Sequence, residues 1–423
     1  MKRILSLVLV SAIALIYLPA AEAAARDPLV QLLIKKGIIT EEEVRAIEGE
    51  IAGQKEKDGI PADVEERVAR LEEKEKALPK MIKDAKWKGD FRLRNELIVN
   101  GDQGTDENRQ RIRFRYGFVT KATDQWEVGA RLVTGGNSIT STNQTLENSF
   151  QHINIAFDEA YAKYSPTGWL DLTGGIMPNP LYTKDDLLWD SDVTFQGVAA
   201  NLKGRIYALP FDEVFLNTGW FPLESDDTGG TRTPSFAVVQ AGIETDLMDN
   251  LAFSGAATYY PFFHVDNPIQ TLTGLSVSGG NRVNGAALLD EMRAVGINGT
   301  LKIKEFADFG LPLTFIGDYI VNTASDDNDS GYLVGAKLGK KIKDKGDWEL
   351  YYNFRHLQPD AFHQAFPDAD AAIATGTNTK AHEVIFDYGL AKNVIFGLDY
   401  YAIESLTGSS DRQILQTDIV AKF

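Results

Sequence analysis

With 423 residues and 60 acidic against 43 basic side chains, the chain carries a formal charge of −17. That balance argues against nucleic acid as a partner. Cysteine is absent, which excludes disulfides and thiolate metal sites. Aromatic residues at 10%, 37 glycines and a mean hydropathy of only −0.20 suit a β-protein with a greasy outside and a wet inside.

The chain opens with Lys2 and Arg3 before an apolar run from Ile4 to Leu18, then Pro19 and the small residues Ala21 and Ala23. A basic start, an apolar middle and small residues before the cut describe a secretory signal peptide over residues 1–23. No later stretch offers the ~20 apolar residues of a spanning helix. Any membrane the exported chain crosses must therefore be crossed by strands.

Residues 24–85 read as a short helical arm in the periplasm. Leu29, Leu32 and Leu33 make one apolar stripe that stops at Gly37, and Thr40 with Glu43 forms a capping box. After Pro61, the positions Val64, Val68, Leu71, Leu78 and Ile82 fall on a short heptad pattern with Glu75 at one core site. The pattern predicts a small helical arm with a coiled-coil-like segment, ended or kinked by Pro79.

From Lys86 to Phe423 the period changes to two, and sixteen strands are expected, from 86–99 to 411–423. Each has about the 9–11 residues, or slightly more, of a tilted transmembrane strand. Links alternate between long polar ones, such as Gly135–Phe150 and Phe263–Asp290, and tight ones, such as Thr123-Asp124 and Ala391-Lys392-Asn393. Long loops on one rim and short turns on the other predict a transmembrane antiparallel β-barrel, with both termini on the short-turn side. Trp87, Trp126, Trp169 and Trp348 open odd-numbered strands, the depth at which an amphipathic ring is stable beside lipid. Phe211, Phe215 and Phe423 are expected to join that girdle, with Trp220, Tyr259, Phe262 and Tyr319 at the opposite rim.

The last strand states the pattern most compactly. Leu415, Thr417, Ile419 and Ala421 alternate with Gln416, Asp418, Val420 and Lys422, and the chain ends on Phe423. A closed barrel must pair its last strand with its first and seat an aromatic at the lipid boundary. Leu415, Ile419 and Phe423 are thus read as the barrel-closing C-terminal signal.

In the second strand Arg111, Arg113 and Arg115 alternate with Ile112, Phe114 and Tyr116; Arg92 and Arg94 do the same in the first, and Arg131 in the third. A guanidinium facing hydrocarbon costs ~2–4 kcal/mol near the midplane. These six arginines are therefore expected on a basic wall facing a water-filled lumen. The link Pro178 to Asp192 carries Asp185, Asp186, Asp190 and Asp192, with Leu187, Leu188 and Trp189 able to anchor it. Folded inward, it would form a constriction opposite the arginines.

The stretch Leu32 to Glu42, then Phe91-Arg92-Leu93-Arg94, Asp158-Glu159-Ala160-Tyr161, Trp189-Asp190-Ser191-Asp192 with Gly197, and the terminal strand together resemble the putative porin family of Gram-negative outer membranes. The resemblance implies passive diffusion of small hydrophilic solutes or ions, outer-membrane lipid as the surroundings, and a homotrimer. It also extends to phosphate-selective porins in the basic wall, although Lys184 is alone among four aspartates in the third loop.

No catalytic, cofactor or metal constellation is assigned. His356, Asp360 and His363 near the outer rim raise an outer-membrane enzyme as one alternative, and a tethering or adhesive barrel is another. The run from Asp326 to Gly331 resembles a calcium loop, but its twelfth position is Lys337 where a bidentate Glu is required.

Overall fold

The computed structural model describes residues 84–101, 104–136, 138–147, 149–223, 234–265, 280–284, 287–307 and 310–423. The expected signal peptide lies outside these residues, as does the expected helical arm apart from Asp84 and Ala85.

The wall begins with β1 (Lys86–Asn100), β2 (Glu107–Lys121) and β3 (Trp126–Val133). A two-residue strand, β4 (Gln144–Thr145), continues the line of β3 beside β2. Then follow β5 (Ala156–Thr167), β6 (Leu170–Met177), β7 (Phe195–Gly204), β8 (Glu213–Pro222), β9 (Ser235–Met248) and β10 (Leu251–Phe263). A small hairpin, β11 (Val283–Asn284) and β12 (Ala287–Leu288), stands apart as its own sheet. The wall resumes with β13 (Arg293–Phe306), β14 (Leu311–Asn322), β15 (Ser330–Gly339) and β16 (Trp348–Leu357). It ends with β17 (Thr379–Ala391), β18 (Val394–Ser405) and β19 (Asp411–Lys422).

Setting β4, β11 and β12 aside leaves sixteen long strands, each antiparallel to its neighbours in sequence. The ring closes because β1 pairs with β2 on one side and β19 on the other, in the registers Phe91↔Phe114 and Phe91↔Ala421. The fold is an all-β closed barrel. The strand positions agree with those expected from period two, shifted by a few residues at the ends.

Side-chain direction alternates as the pleat requires. On β13 and β14, Ile297 (58% exposed) and Phe315 (45%) face out, while Ala294 and Ile320 (0%) face in. On β19, Leu415, Ile419 and Phe423 lie on the outward face, opposite the inward Gln416 and Asp418. Trp87, Trp126, Trp169, Trp220, Tyr259 and Tyr319 are all outward and exposed. Trp348 and Phe211 are half-buried, and two further expected girdle residues turn inward. Phe215 turns inward and stacks on Tyr182 with ring centroids 5.3 Å apart. Phe262 is buried inside against Phe236 at 5.2 Å.

The seam is tight at the end where the short turns lie. Gly89 and Phe423 exchange both backbone hydrogen bonds, at 2.7 and 3.0 Å. A Cβ on Gly89 would stand 2.4 Å from the Arg115 carbonyl oxygen and 2.7 Å from the Phe423 ring, so only glycine lets the terminal ring lie across β1. Overpacking of this kind costs about 1–3 kcal/mol. Gly89→Leu is expected to lower the temperature at which the folded barrel converts to its slower-migrating unfolded form on electrophoresis. An unchanged transition would contradict this packing.

Candidate channel and constriction

The arginines predicted from alternation share the inward face of β1, β2 and β3, and none stands alone. Arg94 grips Asp418 with two bonds (Nε to Oδ1 2.8 Å, a terminal nitrogen to Oδ2 2.7 Å) and lies 3.5 Å from Asp370. Arg92 is 3.6 Å from Asp418 and donates to Asn143. Arg113 and Arg115 share Asp90, at 2.8 and 2.7 Å, and Arg115 also reaches Asp192 at 3.1 Å. Arg111 meets Glu96 at 3.4 Å, a carboxylate it shares with Arg109. Arg131 pairs with Asp158 and, at 2.8 Å, with Glu159.

Asp90, Glu96, Asp158, Glu159, Asp192, Asp370 and Asp418 thus meet the six predicted arginines and Arg109. Glu96, at 0% exposure, would be an unpaid buried charge without them; breaking such a pair by removing one partner costs ~3–5 kcal/mol. The wall is a ladder of ion pairs, with positive and negative charge alternating across neighbouring strands. Sequence alternation located the arginines; it did not reveal that, besides Asp90 and Glu96 of β1, their partners come from β5, β19 and the loops.

Two connections cover this ladder from inside. After β3 the chain turns inward at Gly135, whose φ of +101° and 2.5 Å approach of a Cβ to the Thr142 backbone demand glycine. The segment 138–143 then lies over the wall: Ser141 accepts from Arg111 (3.4 Å), and the Thr142 N–H and hydroxyl donate to Asp192 (3.0 and 3.1 Å). The loop after β6, residues 178–194, is pinned by Trp189. That ring is 4.6 Å from Phe195, 4.9 Å from Phe366, 5.3 Å from Phe362 and 5.5 Å from Phe236. Phe362 and Phe366 belong to the loop 358–378, so two loops meet inside the barrel; the Asp190 N–H donates to the Phe366 carbonyl at 2.7 Å. Tyr182 ties the first loop to the far wall, donating its N–H to Gln240 (2.6 Å) and accepting at its carbonyl from Gln240 (3.1 Å) and Asn298 (3.2 Å).

The four loop aspartates do not act as a group. Only Asp192 touches the predicted arginines. Asp186 pairs at 2.8 Å with Arg355 of β16, which also holds Asp368 (3.2 Å) and Glu383 (2.6 Å). Asp190 caps its own turn, accepting from the Asp192 N–H at 2.7 Å. Asp185 accepts from the Leu187 N–H at 3.0 Å and faces the carboxyl of Asp318. Trp189 sets this division, because seating it against Phe195 and Phe236 turns 185–190 toward β14–β17. A polar cavity of about 410 Å³ remains between the loop and the wall, lined among others by Arg131, Lys184, Asp185, Asp190, Lys337 and Tyr351.

Burial raises the Asp185 carboxyl to about 6, with the Asp186 charge adding to it. Burial likewise pushes Asp190 well up, helped by Asp192 and Asp186. Burial also acts upward on Asp192, but the guanidiniums of Arg113 and Arg115 and the Thr142 N–H outweigh it and hold that carboxyl below the usual range.

The histidines do not form a site. His356 points outward and stacks on Tyr332 at 5.5 Å, whereas His363 is fully buried inside. Asp360 is taken by Arg282. Among the described residues no group of three or more His, Asp or Glu side chains is placed to hold a metal ion.

Two outcomes follow. Truncating a buried aromatic costs about 3–5 kcal/mol, so Trp189→Ala should unseat loop 178–194 and raise single-channel conductance; unchanged conductance would show the loop does not narrow the path. As pH falls from 7.5 to 5, Asp185, raised to about 6, gains a proton while Asp192 stays ionised. The cation-over-anion permeability ratio should therefore drop with a midpoint near that value, and a flat ratio across the range would contradict the assignment.

A family model described as "putative porin" matches residues 98–305 and 281–423. Among solved structures, OprB from Pseudomonas putida at high pH aligns with a TM-score of 0.54 and 13% identity, over 80% of this chain and 94% of that one. OmpF from Salmonella typhi in complex with daunomycin gives a TM-score of 0.49 and 11% identity, over 80% and 97%. No curated protein gives a significant match. Closed sixteen-stranded ring, inward ion-pair ladder and family match agree: the chain belongs to the putative porin family and is an outer-membrane porin.

Proposed function

We propose that the channel passes small hydrophilic solutes and ions by diffusion, screened by size exclusion and lumenal charge, with no covalent step. The observation that carries this reading is the inward face of β1, β2 and β3. Seven arginines sit there in water-compatible ion pairs, where hydrocarbon would reject them, beside a polar cavity of about 410 Å³. In this reading Arg92, Arg94, Arg111, Arg113, Arg115 and Arg131 form one side of the path. Loop 178–194 is its constriction, with Asp192 bridging to the arginines and Asp185, Asp186 and Asp190 on the other side.

The same reading places residues 1–23 as the signal removed on export and 24–85 in the periplasm. It takes the Leu415, Ile419 and Phe423 face as the mark by which the barrel is sorted, and a homotrimer as the assembly. Among the described residues His356 and His363 face opposite sides of the wall, so the pair does not support the enzymatic alternative.

Planar-bilayer recording tests the proposal. The wild-type chain should give stable ohmic pores. Arg111→Ala with Arg113→Ala strips cations from Glu96 and Asp90 and should move the reversal potential in a salt gradient toward cations. An unchanged reversal potential would show that these arginines lie off the permeation path.

A further inference from the structure

We propose that the cavity beneath loop 178–194 is a binding subsite for the ammonium or guanidinium head of a small organic cation. The proposal rests on the channel reading above and names the solute class that channel holds best.

Asp185, Asp190 and Asp318 have no ion-pair partner among the described residues, although Asp318 is 9% exposed. The carboxyls of Asp185 and Asp318 face one another, a contact that two anions hold only with a shared proton or a cation. The neighbouring cations are already committed. Arg355 serves Asp186, Asp368 and Glu383, Arg131 serves Asp158 and Glu159, and Lys337 is 3.2 Å from Glu349. Lys184, with its ammonium 4.4 Å above the Tyr182 ring, forms no ion pair and is exposed. A second, independent feature points the same way. The Tyr351 hydroxyl, on a side chain 9% exposed, lines the cavity without a hydrogen-bond partner among the described residues.

The chemistry favours an organic cation over a metal ion. Among the described residues no three carboxylates or imidazoles converge closely enough to ligate a metal. The cavity, about 410 Å³, is far larger than one ion and has the rings of Trp189 and Tyr351 in its lining. The Tyr351 ring already takes the Lys337 ammonium at 4.9 Å from its centroid, so this lining accepts a cationic head by cation–π and charge together. The carboxylates supply the charge and the Tyr351 hydroxyl a hydrogen bond.

The test uses the full-length chain in planar bilayers with 1,4-diaminobutane as probe and succinate as the anionic control. Wild-type current should be blocked by the diamine in a concentration-dependent manner and unaffected by succinate. Asp185→Asn with Asp190→Asn should weaken the block at least tenfold, and Lys184→Gln, which removes the local cation, should tighten it a few-fold. Lys184 is exposed, so its variant remains informative should the double variant fail to fold. Diamine block of equal strength in wild type and the folded variants overturns the subsite, as does calcium block at lower concentration than the diamine. Open channels with no diamine block also overturn the subsite and leave the channel reading standing. Absence of any conductance defeats the channel reading itself.

Discussion

Within hydrocarbon every backbone N–H and C=O must find its partner inside the protein, since no water is there to supply one. That requirement forces the pairing of β1 with β19, which carries the register Leu93↔Ile419 and Leu97↔Leu415 around the seam. Once the ring is closed, the pleat assigns each side chain to lipid or lumen, and a slip of one residue would reverse every assignment. The arginines of β2 and the leucines of β19 are thus held to their faces by the same constraint. Gly89, which lets the terminal ring of Phe423 lie across the first strand, is where that closure is tightest.

The interior is not a uniform wet tube. Toward β6–β16 it holds an apolar core that includes Trp189, Phe195, Phe221, Phe236, Phe262, Phe362 and Phe366. The loops that bring Trp189 and Phe362 inward exclude water from that half and leave polar space beside β1–β3. Charge follows the same division. Along β1–β3 each guanidinium has a carboxylate, so little net field remains. Near Arg355 one guanidinium faces Asp186, Asp368 and Glu383, with Asp185, Asp190 and Asp318 close by. Desolvated carboxylates in such surplus hold protons or cations.

Much of this was legible in the sequence because a period of two survives wherever one face meets lipid and the other water. The strands carrying Arg92, Arg113 and Asp418 show it cleanly. The reading fails where the inward face is also apolar. On β8 and β10, Phe215 and Phe262 look like lipid-facing rings, but they pack on Tyr182 and Phe236 inside. Alternation cannot distinguish the faces of a strand that is greasy on both. Ion-pair partners were hidden for another reason: Arg355 and Asp186, or Arg94 and Asp418, meet only through ring closure and loop folding. The inward turn at Gly135 left a glycine pair as its only trace.

The face that β2 presents to lipid decides whether the barrel is lined by water. Because the chain has no cysteine, single substitutions at positions 111–116, from Arg111→Cys to Tyr116→Cys, can each carry a fluorophore in reconstituted vesicles. Quenching by brominated acyl chains should be strong at 112, 114 and 116 and weak at 111, 113 and 115, with the order reversed for aqueous iodide. Quenching that fails to alternate, or that finds the arginine positions in lipid, would contradict the closed, water-lined barrel.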